Sequence, residues 1–324
     1  MPDLTPNELF TELVSTTLKN HSSSIVDNMS QHNALFRYMK KGKNTRTEDG
    51  GLSIVQALDY AQNGTFQRYS GYDTLNVSAS ETLTSAEFPW RQISISVVAS
   101  GEEIRKNSGK SRIIALVESR IKNARRTFEN NFSADLYGNG TLPNQINGLR
   151  ALVSDTGTNT VGGINSTDWD FWQNKVQSAA APIQGGSAIT VSKDTIQSLM
   201  LPLWLRLNRG ADKPNLILAD HRMYTHYEES LTDLKRYTSS DEGKGGFTSL
   251  KYKSADVIFD NEDIPTDHMY FLNTEYMHLV VHTDANMTPL EKMRPYNQDA
   301  SVNTMIWMGN MTISNRQLQG VLTT

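Results

Sequence analysis

Apolar residues at Ile114, Val117, Ile121, Ala124, Phe128, Phe132 and Leu136 recur at steps of three and four. That spacing puts side chains on one face of an α-helix. Arg112, Ser119, Asn123, Arg126, Thr127 and Asn130 fall on the opposite face. Arg125 lies near the apolar stripe, where its long stem can run along the core edge with the charge in water. The pattern predicts one helix from Lys110 to Tyr137, roughly 40 Å long at about 1.5 Å per residue. An ordinary globular helix has about 11 residues. Gly138, Asn139 and Gly140 close it, as residues tolerant of a left-handed backbone do. No chemistry sits on this helix, so it reads as a structural spine.

Elsewhere the periodicity changes from segment to segment. Residues 1–36 read as a modest helix that opens on Thr5-Pro6-Asn7-Glu8 and continues through Leu9, Phe10, Leu13 and Leu18. Residues 37–51 carry no core pattern and are expected to be an extended arm. Leu52 to Val55 begins an outgoing strand, Asn63-Gly64 and Ser70 to Asp73 supply turns, and Ile93 to Val97 alternates as a returning strand. Such a hairpin has too little core of its own and needs a neighbour to pack on. Residues 141–190 are loop-rich, with Trp169, Phe171 and Trp172 as the expected buried anchor.

Ser192 to Leu207 is a second helix, kinked at Pro202 and stopped by Gly210. Leu216 to Ala219 is a short strand and Met223 to Leu234 a helix. Ser239 to Gly246 is a Gly- and charge-rich loop, expected to be mobile. Val257 to Phe259, Met269 to Leu272 and His278 to Val281 are strands, and residues 302–322 alternate until Gly309 breaks the pattern. Helices and strands mix without βαβ regularity, so the fold class is α+β. No internal repeat is present.

Composition narrows the function. The 324-residue chain is long enough for one large domain or two modest ones. Its 31 basic and 35 acidic residues nearly balance, so any nucleic-acid contact has to come from a local patch. Zero cysteines exclude disulfides, thiolate catalysis and Cys-based zinc sites. Met1 to Thr17 has neither the basic lead nor the apolar core of a secretion signal. No apolar run approaches the roughly 20 residues of a membrane span. These features suit assembly in a reducing cytoplasm.

Four constellations could carry chemistry, and each has a plainer explanation. Gly109-Lys110-Ser111 resembles the end of a phosphate-binding loop, but Ile104 stands where that motif needs its first glycine. His278 and His282 have the outer spacing of a zinc-protease helix, yet the glutamate is missing and Val280-Val281 favours strand. Asp220-His221 and His226 sit at a strand-to-helix junction, where Asp220 serves as a helix N-cap. Adjacent carboxylates at Glu102-Glu103, Glu228-Glu229 and Asp241-Glu242 read as solvated charge. Neither a cofactor nor a metal is expected.

The strong electrostatic feature is Arg37, Lys40, Lys41, Lys43 and Arg46, five positive charges in ten positions. Its functional reading is a steering arm toward an acidic neighbour or packaged DNA. Tyr38 alone cannot supply the aromatic interleaving of base readout, so contact with DNA is expected to be non-specific. Tyr72, near a turn of the hairpin, is the other candidate for partner contact.

Several phrases in order carry a family resemblance. They are Ser100-Gly101-Glu102-Glu103, Asn107-Ser108-Gly109, the long helix, Tyr137-Gly138-Asn139-Gly140-Thr141 and Gly148-Leu149. Arg209 to Pro214, Met269 to Thr274 and Gln298-Asp299-Ala300 continue the series. Together they resemble the major capsid proteins of tailed bacteriophages, with the HK97-like fold. The resemblance implies an N-terminal arm at 1–46 and an extended hairpin, the E-loop, at 47–98. It implies a peripheral domain at 99–140 and 273–310, and an axial domain at 141–272 and 311–324.

It also implies a non-enzymatic protein that self-assembles through hexamers and pentamers into an icosahedral shell around phage DNA. Assembly is expected in the host bacterial cytoplasm and the mature location is the virion, with no membrane involved. Scaffold, portal and decoration proteins are the implied further partners. Two alternatives stand beside it: an encapsulin-like nanocompartment shell, and a soluble α+β enzyme with its site near His221. Some members of the family weld subunits through an E-loop lysine. Here no lysine lies between Lys43 and Lys106, and arginine is a poor nucleophile, so a non-covalent shell is expected.

Overall fold

The computed structural model describes residues 33–106, 110–231, 250–260, 264–290 and 296–324, without the side chains of 41 and 110–118. The expected N-terminal helix up to residue 32 and the loop at 239–246 therefore lie outside the described residues. The first described elements are α1 (Ala34–Lys41), β1 (Thr45–Glu48), β2 (Ser53–Asp59), β3 (Leu83–Pro89), β4 (Arg91–Ser100), α2 (Gly101–Lys106) and α3 (Lys110–Tyr137). Next come α4 (Leu149–Leu152), β5 (Thr160–Val161), β6 (Ile164–Asn165), β7 (Lys175–Ser178), α5 (Ile196–Leu207), β8 (Leu216–Ala219) and α6 (His221–Ser230). The last are β9 (Leu250–Tyr252), β10 (Ala255–Phe259), β11 (His268–Leu272), β12 (Met277–Pro289), β13 (Ala300–Ile313) and β14 (Gly320–Thr323).

Two sheets organise these elements. One runs in the order β1-β12-β13-β4 and the other β7-β14-β11-β8-β10-β9. The long helix α3 packs against β4 of the first sheet, while α5 and α6 pack on the second. The fold is α+β.

The predicted spine is present as α3, with 28 residues. Ile121, Phe128, Phe132 and Leu136 are buried and Ala124 is half-buried. The side chains of Ile114 and Val117 lie outside the described residues. Arg125 does not hold its charge in water as expected: it is mostly buried, and its Nε meets the buried Glu129 Oε1 at 2.9 Å one turn on. Beyond the helix, a Cβ on Gly148 would stand 2.3 Å from the Gly138 carbonyl oxygen. The chain after the spine folds back so closely that only glycine fits at 148.

The structure corrects several expectations. Residues 37–51 are not an unpacked arm. Leu35, Phe36, Tyr38 and Met39 on α1 are buried, and β1 pairs in parallel with β12, Arg46 opposite Val280. Asn44 Nδ2 donates to the Thr274 carbonyl, and the Tyr38 hydroxyl donates to the Asn215 carbonyl at 3.2 Å. Alternate charges hid this packing, because α1 buries one face and exposes the other.

The hairpin closes differently from the reading above. β2 pairs with β3, Ser53 opposite Pro89, whereas Ile93 to Val97 belongs to β4 and pairs with β13. Alternation reports a half-buried strand but not its partner. Gly309 does not break β13, which continues to Ile313. A Cβ there would lie 2.4 Å from the Val280 carbonyl oxygen, so the glycine permits close strand approach.

Of the three aromatic residues at 169–172 only Trp172 is buried; Trp169 is 49% exposed. Trp169 and Phe171 instead meet Tyr60 at the root of the hairpin, with centroids 5.8 and 5.3 Å away. The second helix begins at Ile196 rather than Ser192, because residues 192–195 form a turn in which Thr195 Oγ1 accepts from the Ser192 N–H. α6 begins at His221, two residues early, and ends at Ser230 rather than Leu234, because the backbone turns extended at Leu231.

Candidate functional site

The base of the hairpin is built into the body and its tip is not. Ile54, Gln56 and Leu58 of β2 and Ala86 and Phe88 of β3 point inward and are buried. The Glu87 N–H donates to the Gly162 carbonyl, and Trp90 Nε1 donates to the Gly51 carbonyl. Past Asp59 the pattern changes. Phe66, Tyr69, Leu75 and Val77 are exposed, and Tyr72 is fully exposed. These apolar side chains are gathered on one exposed loop between β2 and β3.

The basic cluster is split between elements. Arg37 is half-buried and Lys40 exposed on α1, Lys43 sits exposed in the following turn at φ 58°, and Arg46 is exposed on β1. The Lys41 side chain is outside the described residues. Tyr72 belongs to the hairpin loop, so the residues proposed for partner contact fall on two separate elements.

The enzyme-like constellations resolve into structural contacts. Asp220 occupies the position before α6 without capping it. One of its oxygens pairs with His221 Nδ1 at 3.0 Å and the other accepts from the Asp267 N–H at 3.0 Å. Arg222 Nη1 meets both oxygens of Asp267. His226 lines a recess of about 320 Å³ with Arg222, Asp267, Thr190, Thr324 and mostly small apolar residues. Lys110 and Ser111 open α3, and Gly109 is outside the described residues. Among the described residues no three metal-ligating side chains converge, and no helix is long and apolar enough to cross a membrane.

His278 and His282 diverge in environment. His282 packs its ring against Trp90 at 5.5 Å. His278 is 5% exposed, and its Nδ1 is shielded with no partner among the described residues. Burial, with the charge of Arg46 second, lowers its pKa from 6.5 to about 4. The folded protein thus refuses a proton that the unfolded chain accepts. Stability is present above pH 6.5 and is lost as pH falls toward 4, by up to about 3 kcal/mol.

His268 acts in the opposite sense. Burial lowers its pKa, but its bonds to Asp155 and to the Thr266 carbonyl win and the net shift is upward. Its contribution is complete below about pH 6.5 and lost as pH rises. Asp155 is lowered, chiefly by the same bond, so its contribution fails only below the usual carboxylate range. Melting at pH 7 and pH 4.5 should therefore show a larger acid loss in the unmodified chain than in His278→Gln. Equal losses would mean that His278 is not the acid-labile group.

Two features escaped the sequence reading. One is Arg316, wholly buried, whose neighbours Asn315 and Gln317 give no hint of its place. The other is the place of β4, read as a strand at Ile93 to Val97 but not as one edge of the first sheet.

Comparison with known proteins completes the picture. The family model described as SU10 major capsid protein matches residues 75–321. The capsid asymmetric unit of cyanophage A-1(L) is 13% identical, with 87% of this chain and 90% of that chain covered and a TM-score of 0.62. The capsid of Myoviridae phage XM1 is 12% identical over 88% and 91%, with a TM-score of 0.53. The holo-SrpI encapsulin complex from Synechococcus elongatus is 7% identical over 89% and 86%, with a TM-score of 0.52. At these identities the structural likeness speaks for the fold alone. No curated protein matches the sequence.

Proposed function

The chain belongs to the SU10 major capsid protein family, and from that premise we propose how this major capsid protein builds its shell. Copies associate through hexamers and pentamers into an icosahedral shell that encloses phage double-stranded DNA in the virion. The observation that carries the reading is the projecting hairpin, anchored at Ile54 and Phe88 and apolar at Tyr69, Tyr72 and Val77. Its tip has no core in its own chain, so its burial and its stability belong to the assembly. Head-to-tail contacts of one repeated subunit close into rings.

Assembly takes place in the host cytoplasm, with scaffold, portal and decoration proteins as further partners. Arg37, Lys40, Lys41, Lys43 and Arg46 meet an acidic neighbour or the packaged DNA without reading its sequence, and Tyr72 contacts a neighbouring subunit. The encapsulin reading is disfavoured because the matching family is a phage head protein over most of the chain.

Electron microscopy of the purified protein tests this directly. Closed particles with nuclease-protected DNA are expected from phage-infected cells. Lys40, Lys41, Lys43 and Arg46 changed together to Gln should leave circular dichroism nearly unchanged and reduce particle yield. Raising salt should mimic the change, because exposed charges are screened. Particles boiled in SDS without reductant should run as one band near 36.3 kDa. Small oligomers in place of particles would overturn the reading, and yield insensitive to both charge and salt would assign the cluster to solvent.

A further inference from the structure

Where the hairpin leaves the body, three aromatic side chains meet. Tyr60 follows β2, while Trp169 and Phe171 come from the chain between β6 and β7. The Trp169 ring stands at 78° to Tyr60 and 67° to Phe171, with centroids 5.8 and 6.0 Å away. Tyr60 and Phe171 are more nearly parallel, 32° apart at 5.3 Å. The three rings and Glu81 line a recess of about 270 Å³. Its two sides are held by the backbone. The Tyr60 N–H donates to the Thr82 carbonyl at 3.0 Å, which extends the β2–β3 ladder to the residue beside Glu81. The Trp169 N–H donates to the Asn165 carbonyl, and the Trp169 carbonyl accepts from the Trp172 N–H. The recess is therefore fixed by main-chain bonds, yet Trp169 remains half exposed.

Charge indicates what such a recess takes. The segments that line it, 59–60, 81–84 and 164–171, carry Asp59, Glu81, Asp168 and Asp170 and no lysine or arginine. None of these four carboxylates is paired with a lysine or arginine among the described residues. Aromatic faces are the negative poles of their rings. Rings and carboxylates thus favour the same sign of ligand, and an anion is repelled by both. The lining also has no amide or guanidinium side chain to donate to a neutral polar ligand such as a sugar.

We propose that this recess is a cation–π site that takes one ammonium or guanidinium head group. Indole is the strongest of the three ring types for such contact, so Trp169 is the principal face, with Tyr60 and Phe171 beside it. Glu81 supplies the counter-charge. The head group belongs either to a lysine or arginine of an adjoining chain or to a free organic cation, and the chemistry is the same for both. Tyr60 and Glu81 are on the hairpin and Trp169 and Phe171 on the body, so an occupant fastens the hairpin root to the body. The inference goes beyond the shell reading and does not depend on it, because the site lies within one chain.

Ligand-observed NMR of tetramethylammonium with the unassembled full-length chain tests this. Saturable broadening of its methyl line is expected at neutral pH. The neutral alcohol 2,2-dimethylpropanol, similar in shape but without the charge, should show none at the same concentrations. Trp169→Ala should raise the dissociation constant about tenfold, and Trp169→Phe less. Glu81→Gln changes an exposed residue and keeps the fold should Trp169→Ala not; it should raise the constant about threefold.

No saturable broadening by the cation would overturn the proposal. So would equal binding of the neutral alcohol, binding of methyl β-glucoside in place of the cation, or a dissociation constant moved by neither Trp169→Ala nor Glu81→Gln. Assembled particles separate the two sources once the cation is seen to bind. Binding lost in particles assigns the site to a side chain of an adjoining chain, and binding retained there assigns it to a free cation.

Discussion

Arg316→Met is expected to abolish most folded protein, the largest effect of any single change in the chain. Arg316 is wholly buried, and its partners among the described residues are all neutral. Its Nε donates to the Leu152 carbonyl, and Nη1 donates to Ser166 Oγ and the Trp172 carbonyl. Nη2 donates to the side-chain oxygens of Asn159 and Asn174. The five bonds use all five guanidinium N–H groups. Burial lowers the pKa from 12.5 to about 10, still well above neutrality, so the charge persists.

The cation is held by oriented neutral dipoles, which fasten the segment from Leu152 to Asn174 onto the chain entering β14. Methionine fits the space but leaves the Leu152 and Trp172 carbonyls and Asn159 Oδ1 without this donor, at about 1–3 kcal/mol each before relaxation. Asn174 Oδ1 keeps the Ser154 N–H, and Ser166 Oγ keeps its bond to the Asn159 carbonyl. Even partial rescue by water leaves a loss above about 4 kcal/mol, a large share of a domain's stability. A lysine side chain offers three N–H groups and a different shape, so Arg316→Lys should lie between the two. Soluble yield and denaturant midpoint measure this. An Arg316→Met chain with an unchanged midpoint would show the network to be dispensable.

Phe132→Ala should be the next most damaging change, at about 3–5 kcal/mol. Phe132 stacks on Phe128 with centroids 5.6 Å apart and meets Trp307 edge-on at 5.0 Å. It also meets Phe36 of α1 edge-on at 5.9 Å. One ring therefore joins the spine, the first sheet and the leading helix. Its removal leaves a cavity among elements that cannot collapse inward independently. A large fall in melting temperature is expected, with particle yield falling alongside. Phe128→Ala should cost a comparable amount, and the double variant less than the sum, because the two rings share contacts. An unchanged melting temperature in Phe132→Ala would dismiss the spine as the core of the fold.

The spine was legible because its information is local. Ile121, Phe128, Phe132 and Leu136 repeat at the helical period, and Gly138 to Gly140 mark its end. The family phrases were legible for a related reason: several sit where backbone closeness dictates the residue, as at Gly148 against Gly138. The exposed hairpin loop also followed from sequence, since residues 60–82 hold turn signals and no core period.

Pairing was not legible. Ile93 to Val97 announced a half-buried strand, but whether it paired with β2 or β13 depended on residues 300–309, some two hundred positions away. The packed state of α1 and β1 was hidden for the same reason. Tyr38 reaches Asn215 and Asn44 reaches Thr274, and the charges between them concealed the buried face.

By itself, then, the sequence determined the helix periods, the turns, the lack of cysteine chemistry and the lysine-free hairpin, all properties of neighbouring residues or of composition. Tertiary structure alone decided three things: that β4 is an edge, that Arg316 sits among neutral acceptors, and that the basic cluster is divided between a helix and a strand. Each is a relation between segments far apart in the chain. Side-chain period specifies which face is buried but carries no information about what covers it.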